Sequence, residues 1–326
     1  MAENKVAMDK AWAEAARRCR LSAADVRMAK ELGFKPRSLL KTVPSPQQPW
    51  KAPVAEWVRE LYARRQRRSK QRRRRRLQAQ PFPRDWLVTI ERNVPFFRRL
   101  SVSDQAELLG HIRVFLAEKR FEGCGGLELT DEIRVTIAVQ ACLLLLHRKT
   151  DYFPNLLTIL VYPSTYLVDE KRPLEGPVWE EGTMHRLGET GRSLGSMVLA
   201  WDAAKSGAAD SSDGTNLVLH EFAHQLDYEN GAADGAPAFT SRHQQSAWGG
   251  VMRTEFASLR AADDTGIPTL LDTYGATNPA EFFAVSTEAF FERPYALRGH
   301  HPKLYAELQR YFLQDPVEYS DERMKG

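Results

Sequence analysis

Residues 217–227 read LVLHEFAHQLD and contain His220, Glu221 and His224 in the order His-Glu-x-x-His. On a helix, side chains four residues apart share a face, so His220 and His224 can grip one metal ion. Glu221 lies one step round from His220, within reach of a water held by that metal. Two imidazole ligands beside a carboxylate base make the pattern of a zinc hydrolase. The bare pattern also arises when two core histidines meet only ordinary hydrogen-bond partners. Its context favours the metal reading, because Leu217, Val218, Leu219, Phe222, Ala223 and Leu226 bury the helix on one side and no Pro or Gly interrupts it.

Catalytic zinc takes a third protein ligand and keeps a fourth position open. Three downstream residues compete for the third place: His243, in a polar stretch, and Glu281 and Glu288, seven residues apart on one strongly apolar helical segment. Glu281 follows Pro279 in the first turn and is the better placed of them. Glu288 is either the alternative ligand or a partner that orients a ligand histidine. An isolated glutamate of either kind is more often a solvated helix carboxylate. Tyr274 precedes Glu281 by seven residues. It is either a packing residue or a phenol that donates to the oxyanion of a carbonyl under attack. Asp227 either caps the end of the motif helix or orients an imidazole through its second nitrogen.

The elements that must position these groups follow from periodicity and breakers. The motif helix spans 217–227. A second helix opens at Pro279 and stops at Pro294. Two β-rich runs, 156–162 and 196–201, read as strands, and the second has the character of an edge that an extended peptide can join. Extended chain is expected at 166–169 and loop at 170–195. Further helices are expected at 85–93, 104–119, 131–147, 244–262 and 302–313, with a glycine turn around Gly123, Gly125 and Gly126.

Ahead of these lies a different region. Residues 1–62 form a small helical module in which Ser22 caps a helix, Asp25 completes a partial capping box and Gly33 stops it. Residues 63–80 form a basic linker, closed by Pro81 and Pro83. Within it, residues 64–76 hold ten basic residues and no acidic one. Those ten exceed the chain's whole net charge of +4 and leave the remainder at −6, so the basicity belongs to this one segment. Like charges at helical spacing repel, so frayed helix or coil is expected there. The run is a solvated linker, or else a tether to nucleic acid or to an anionic lipid surface.

Three cysteines, odd in number and far apart, exclude a disulfide framework and point to a reducing compartment. The charged N-terminus has no apolar signal region, and the longest apolar run falls well short of the roughly 20 residues of a membrane span. The expected location is cytoplasmic, without a membrane span.

Together, HEFAHQLD at 220–227, TYGATNPAEFFAVSTEAFFERP at 273–294, LVYPSTYLVD at 160–169, FLAEKRFEGCGGLEL at 115–129 and GSMVLAW at 195–201 resemble the Mlc titration factor A (MtfA) family of bacterial zinc metallopeptidases. The resemblance covers roughly residues 81–316. It implies a gluzincin-type fold similar to the anthrax lethal factor catalytic domain, with His220, His224 and Glu281 as ligands of one zinc ion and Glu221 as general base. The family's Tyr–Glu spacing matches Tyr274 and Glu281. Family activity is peptidase, aminopeptidase-like on short substrates, and enteric members bind the transcriptional repressor Mlc.

The expectation is a mostly helical α+β metallopeptidase domain over 81–326 with a small sheet, acting on a peptide or protein substrate. The rival expectation is a regulatory binding protein with a structural or vestigial zinc site, which titrates a repressor or holds nucleic acid through 64–76.

Overall fold

Helices make up most of the described chain, and their ends fall where polar caps and prolines stand. The computed structural model describes residues 2–45, 47–48, 50–164, 195–239 and 241–320. The extended stretch expected at 166–169 and, apart from Gly195, the loop expected at 170–195 lie outside the described residues. The chain divides into two compact units, Met1–Leu77 and Gln78–Gly326.

In the first unit, α1 (Ala2–Cys19), α2 (Ala23–Glu31), α3 (Pro36–Lys41) and α4 (Val54–Gln78) follow one another. Trp12, Leu21, Ala29, Leu39, Val54 and Val58 bury a common apolar core, with Phe34 and Trp57 rings packed against it 5.2 Å apart. Ser22 and Asp25 form a full capping box at α2. Both Asp25 oxygens also accept from Arg59 of α4, at 2.7 and 2.9 Å. The basic run is not coil: residues 64–76 lie inside α4, which is unbroken from Val54. Arg, Gln and Lys are good helix formers, and no Gly or Pro falls between Pro53 and Pro81. The Glu60–Arg64 pair, at 2.5 Å, helps carry the helix into the charged stretch.

The second unit is a mostly helical α+β domain. It contains α5 (Arg84–Asn93), α6 (Val102–Glu118), β1 (Arg120–Gly123), α7 (Asp131–Leu143), β2 (Thr158–Tyr162), β3 (Ser196–Ala200), α8 (Trp201–Ala209), α9 (Leu217–Asp227), α10 (Arg242–Thr265), α11 (Pro279–Glu292), α12 (Pro294–His300) and α13 (Pro302–Phe312). The strands form a parallel sheet in the order β1-β2-β3, with α7 in the β1-to-β2 crossover that parallel pairing requires. β1 replaces the start of the turn expected around Gly123. Four residues, RFEG, carry too short an alternation to read as a strand without a neighbour. Ile159, Val161, Met197, Leu199 and Ala200 are buried, while Thr158, Leu160, Tyr162, Ser196 and Val198 are partly open.

The core lies around α9 and α11. Phe222 of α9 packs against Phe115 and Phe153, and Phe283 of α11 clusters with Trp248, Tyr311 and Phe312. Val218–Asp227 and Ala280–Glu292 are buried at every position, so the motif helix is covered all round and not on one side only. No helix among the described residues is long and apolar enough to cross a membrane.

Candidate metal centre

Asn216 starts α9: its Oδ1 accepts from the Leu219 N–H at 3.0 Å. Asn278 starts α11 in the same way, accepting from Ala280 and Glu281 at 2.9 and 3.0 Å, with Pro279 in the first turn. The two buried helices pack side by side and bring three donor atoms to one point. His220 Nε2 and His224 Nε2 lie 3.2 Å apart, and Glu281 Oε2 lies 3.0 Å from the first and 3.1 Å from the second. All three residues are buried.

This triangle tests whether a metal fits. Zinc–ligand bonds of about 2.0–2.1 Å in a tetrahedron require donors about 3.3 Å apart. The three edges fall slightly inside that value, and two imidazoles with one carboxylate are a zinc-type donor set. Among the described residues, no other group of His, Cys, Asp and Glu meets the same convergence. His243 does not join it. That residue is exposed in the first turn of α10.

Glu288 lies two turns along α11 from Glu281, and His220 Nδ1 meets its Oε1 at 2.7 Å. Its other oxygen accepts from the Asn216 backbone N–H at 2.5 Å. One carboxylate thus holds both the ring of His220 and the start of the helix that carries it. Burial disfavours the His220 imidazolium, but the carboxylates of Glu281 and Glu288 prevail and push its pKa up to about 10. Burial would raise the Glu281 carboxyl; the two histidines override it and hold Glu281 well below the usual carboxylate range.

Glu221 is 3% exposed, and its negative charge acts on both His220 and Tyr274. Tyr274 lies in a short 3-10 turn, Thr273–Ala276, where Asp272 accepts from its N–H at 2.8 Å. Its ring centre is 6.2 Å from that of His220. Burial, then the charges of Glu281 and Glu221, raise its phenol well above the ordinary value, so it remains a proton donor. Asp227 is fully buried and accepts from the Gly235 N–H at 2.9 Å. Gly235 has φ +72°, and a Cβ on it would collide with the Pro279 carbonyl, so only glycine lets this loop reach the start of α11.

Two contributors escape a sequence reading. Asn216 has the residue type of an N-cap just before an apolar run, which is a usable signal. Glu292 lies eleven residues after Glu281 on the same helix and accepts from Asn216 Nδ2 at 3.0 Å and from Gly214 N at 3.2 Å. Burial pushes its carboxyl up to about 9, with the charges of Asp213 and Glu288 adding to the effect. Nothing in the spacing alone distinguishes it from a solvated helix glutamate.

The fold is that of a mostly helical, zincin-like α+β domain. The profile of the glucose-regulated metallo-peptidase M90 family matches residues 68–313, and the chain belongs to that family. It is 39% identical over 237 residues to a protein of Synechocystis sp., covering 73% of this chain and 86% of that one. It is 30% identical over 241 residues to Mlc titration factor A of Salmonella arizonae, covering 71% and 92%. It is 32% identical over 233 residues to Mlc titration factor A of Klebsiella pneumoniae, covering 69% and 84%.

Proposed function

We propose that this chain is a zinc-dependent peptidase, with His220, His224 and Glu281 as the protein ligands and Glu221 as the general base. The observation that carries this reading is the triangle of donor atoms, 3.0 to 3.2 Å on a side, next to a buried glutamate. Membership of a metallopeptidase family supports it.

Zinc, when bound, supplies a Lewis acid that acidifies a water and polarises a carbonyl oxygen. Glu221 accepts the water's proton and later delivers it to the leaving amine nitrogen. Tyr274 donates its phenol proton in a hydrogen bond to the carbonyl oxygen as negative charge develops there. Glu288 accepts a hydrogen bond from the Nδ1–H of His220, so that Nε2 is the nitrogen that would give up its proton and present a lone pair to a metal. β3, an outer strand among the described ones, offers backbone groups to an extended peptide. Val198→Pro is expected to abolish peptide turnover with helicity unchanged; normal turnover would remove β3 from the account.

Glu221→Gln tests the mechanism. Zinc content should match wild type while hydrolysis of a fluorogenic peptide falls by roughly a thousand-fold. Surviving hydrolysis in a zinc-loaded sample overturns the assignment. Aminopeptidase-like action is part of the proposal and predicts that an N-acetyl cap on a short substrate blocks cleavage.

A second reading rests on the name of the enteric relatives, titration factors for Mlc. In it the chain sequesters a transcriptional repressor and cleavage is dispensable. It predicts that Glu221→Gln still binds the repressor while no peptide is turned over by either form.

A further inference from the structure

Helix α4 carries the densest run of basic side chains among the described elements and contributes no residue to the candidate metal centre. Arg64, Arg65, Arg68, Arg72, Arg75 and Arg76 are all exposed on it. At 3.6 residues per turn these six fall within about 120° of arc and run along about 18 Å of helix. Arg74, on the opposite side, is buried, so the stripe faces outward. No acidic residue occurs from 61 to 84, so no carboxylate follows these arginines along the helix to neutralise them. Arg64 and Arg65 are engaged at the inner end, with Glu60 and the Glu31 carbonyl. Arg68, Arg72, Arg75 and Arg76 continue beyond them.

We propose that α4 is a docking rod for the phosphate backbone of duplex nucleic acid, bound without base specificity. Like charges at i, i+3 and i+4 destabilise a helix, and a polyanion along the stripe relieves that repulsion. Over about 18 Å a duplex presents about ten phosphates. Nine of the ten basic residues from 64 to 76 are arginine, whose planar fork binds phosphate oxygens in pairs.

The same stripe argues against the other polyanions. A helix that lies in a lipid surface needs an apolar face, and residues 64–76 contain no apolar side chain. Single-strand binders stack bases on aromatic rings, and there is none from 63 to 81. The remainder of the chain carries net charge −6, so attraction for a polyanion is concentrated on this helix.

Fluorescence anisotropy of the full chain with a labelled mixed-sequence DNA duplex of about 20 base pairs tests this, over about 50 to 200 mM salt. The logarithm of affinity should fall linearly with the logarithm of salt concentration, with a slope near −5 for about six phosphate contacts. Replacing Arg68, Arg72, Arg75 and Arg76 together by Gln should weaken binding at least about tenfold and flatten the slope by about 3 to 4. The corresponding Lys replacements should bind within about threefold of wild type, and circular dichroism should report the same helicity for every form. Equal affinity of the Gln form and wild type overturns the proposal. So does tighter binding to the single strand, or to phosphatidylserine vesicles at the same salt, than to the duplex.

Discussion

His220 is held at both ring nitrogens: Glu281 meets Nε2 at 3.0 Å and Glu288 meets Nδ1 at 2.7 Å. The proposed ligand thus has its orientation fixed before any metal arrives, and the residue that fixes it is not itself at the metal point. Glu288→Gln should keep the fold and lower zinc affinity roughly 10- to 100-fold, read by competition with a chromophoric chelator. Unchanged affinity would make Glu288 a packing residue. At this scale much was legible. His-Glu-x-x-His fixes its own spacing on a helix, and Glu281 and Glu288 share a face of the next buried helix. His243 was open as a ligand on residue type alone; its exposure on α10 separates it from the cluster. Glu292 was not legible, because its role depends on the Asn216 amide and the Gly214 N–H, which only the pairing of α9 with α11 brings to it.

The pairing of α9 and α11 is the element-scale device. Three glutamates along α11, at 281, 288 and 292, face the start and centre of α9, and the cap Asn216 is tied to both Glu288 and Glu292. Glu292 has a folded pKa of about 9 against an ordinary 4.5, with burial as the main cause. A carboxyl with a raised folded pKa contributes its stability fully below 4.5 and loses it as pH rises toward 9. Glu292→Gln removes that titration while keeping an oxygen acceptor. The variant should nearly match wild type in stability near pH 5 and exceed it by roughly 4 kcal/mol near pH 8, checked by calorimetry across that range. A variant less stable than wild type at pH 8 would show that the carboxylate itself is required. Helix boundaries are readable here because Pro279 and Pro294 mark them. The four-residue strand β1 was not, since its pairing with β2 comes from tertiary register and not from local alternation.

Across the whole molecule, each unit carries its own polar lock. In the N-terminal unit Asp25 is 1% exposed and binds Arg59 through both oxygens. The Arg59 guanidinium first, with the Ser22 N–H and hydroxyl, lowers its pKa to about 2 from 3.8. A lowered carboxyl pKa stabilises above 3.8, and that stability drains as pH falls toward 2. Asp25→Asn should therefore cost about 2 kcal/mol at neutral pH, seen as faster amide hydrogen exchange across α2, and the difference should vanish near pH 2. The Ser22 cap, the box with Asp25 and the stop at Gly33 were visible in sequence. The helicity of 64–76 was not, because a reading weighted by like-charge repulsion underestimates the propensity of arginine in a helix already nucleated from Val54.

Zinc-edge X-ray absorption on the zinc-loaded full chain reads the proposed ligand set of His220, His224 and Glu281. Two imidazole nitrogens and one carboxylate oxygen are expected at about 2.0–2.2 Å, with a fourth light-atom ligand that an added hydroxamate displaces. A sulfur ligand, a fourth protein ligand that no inhibitor displaces, or the same spectrum from Glu281→Ala would contradict it.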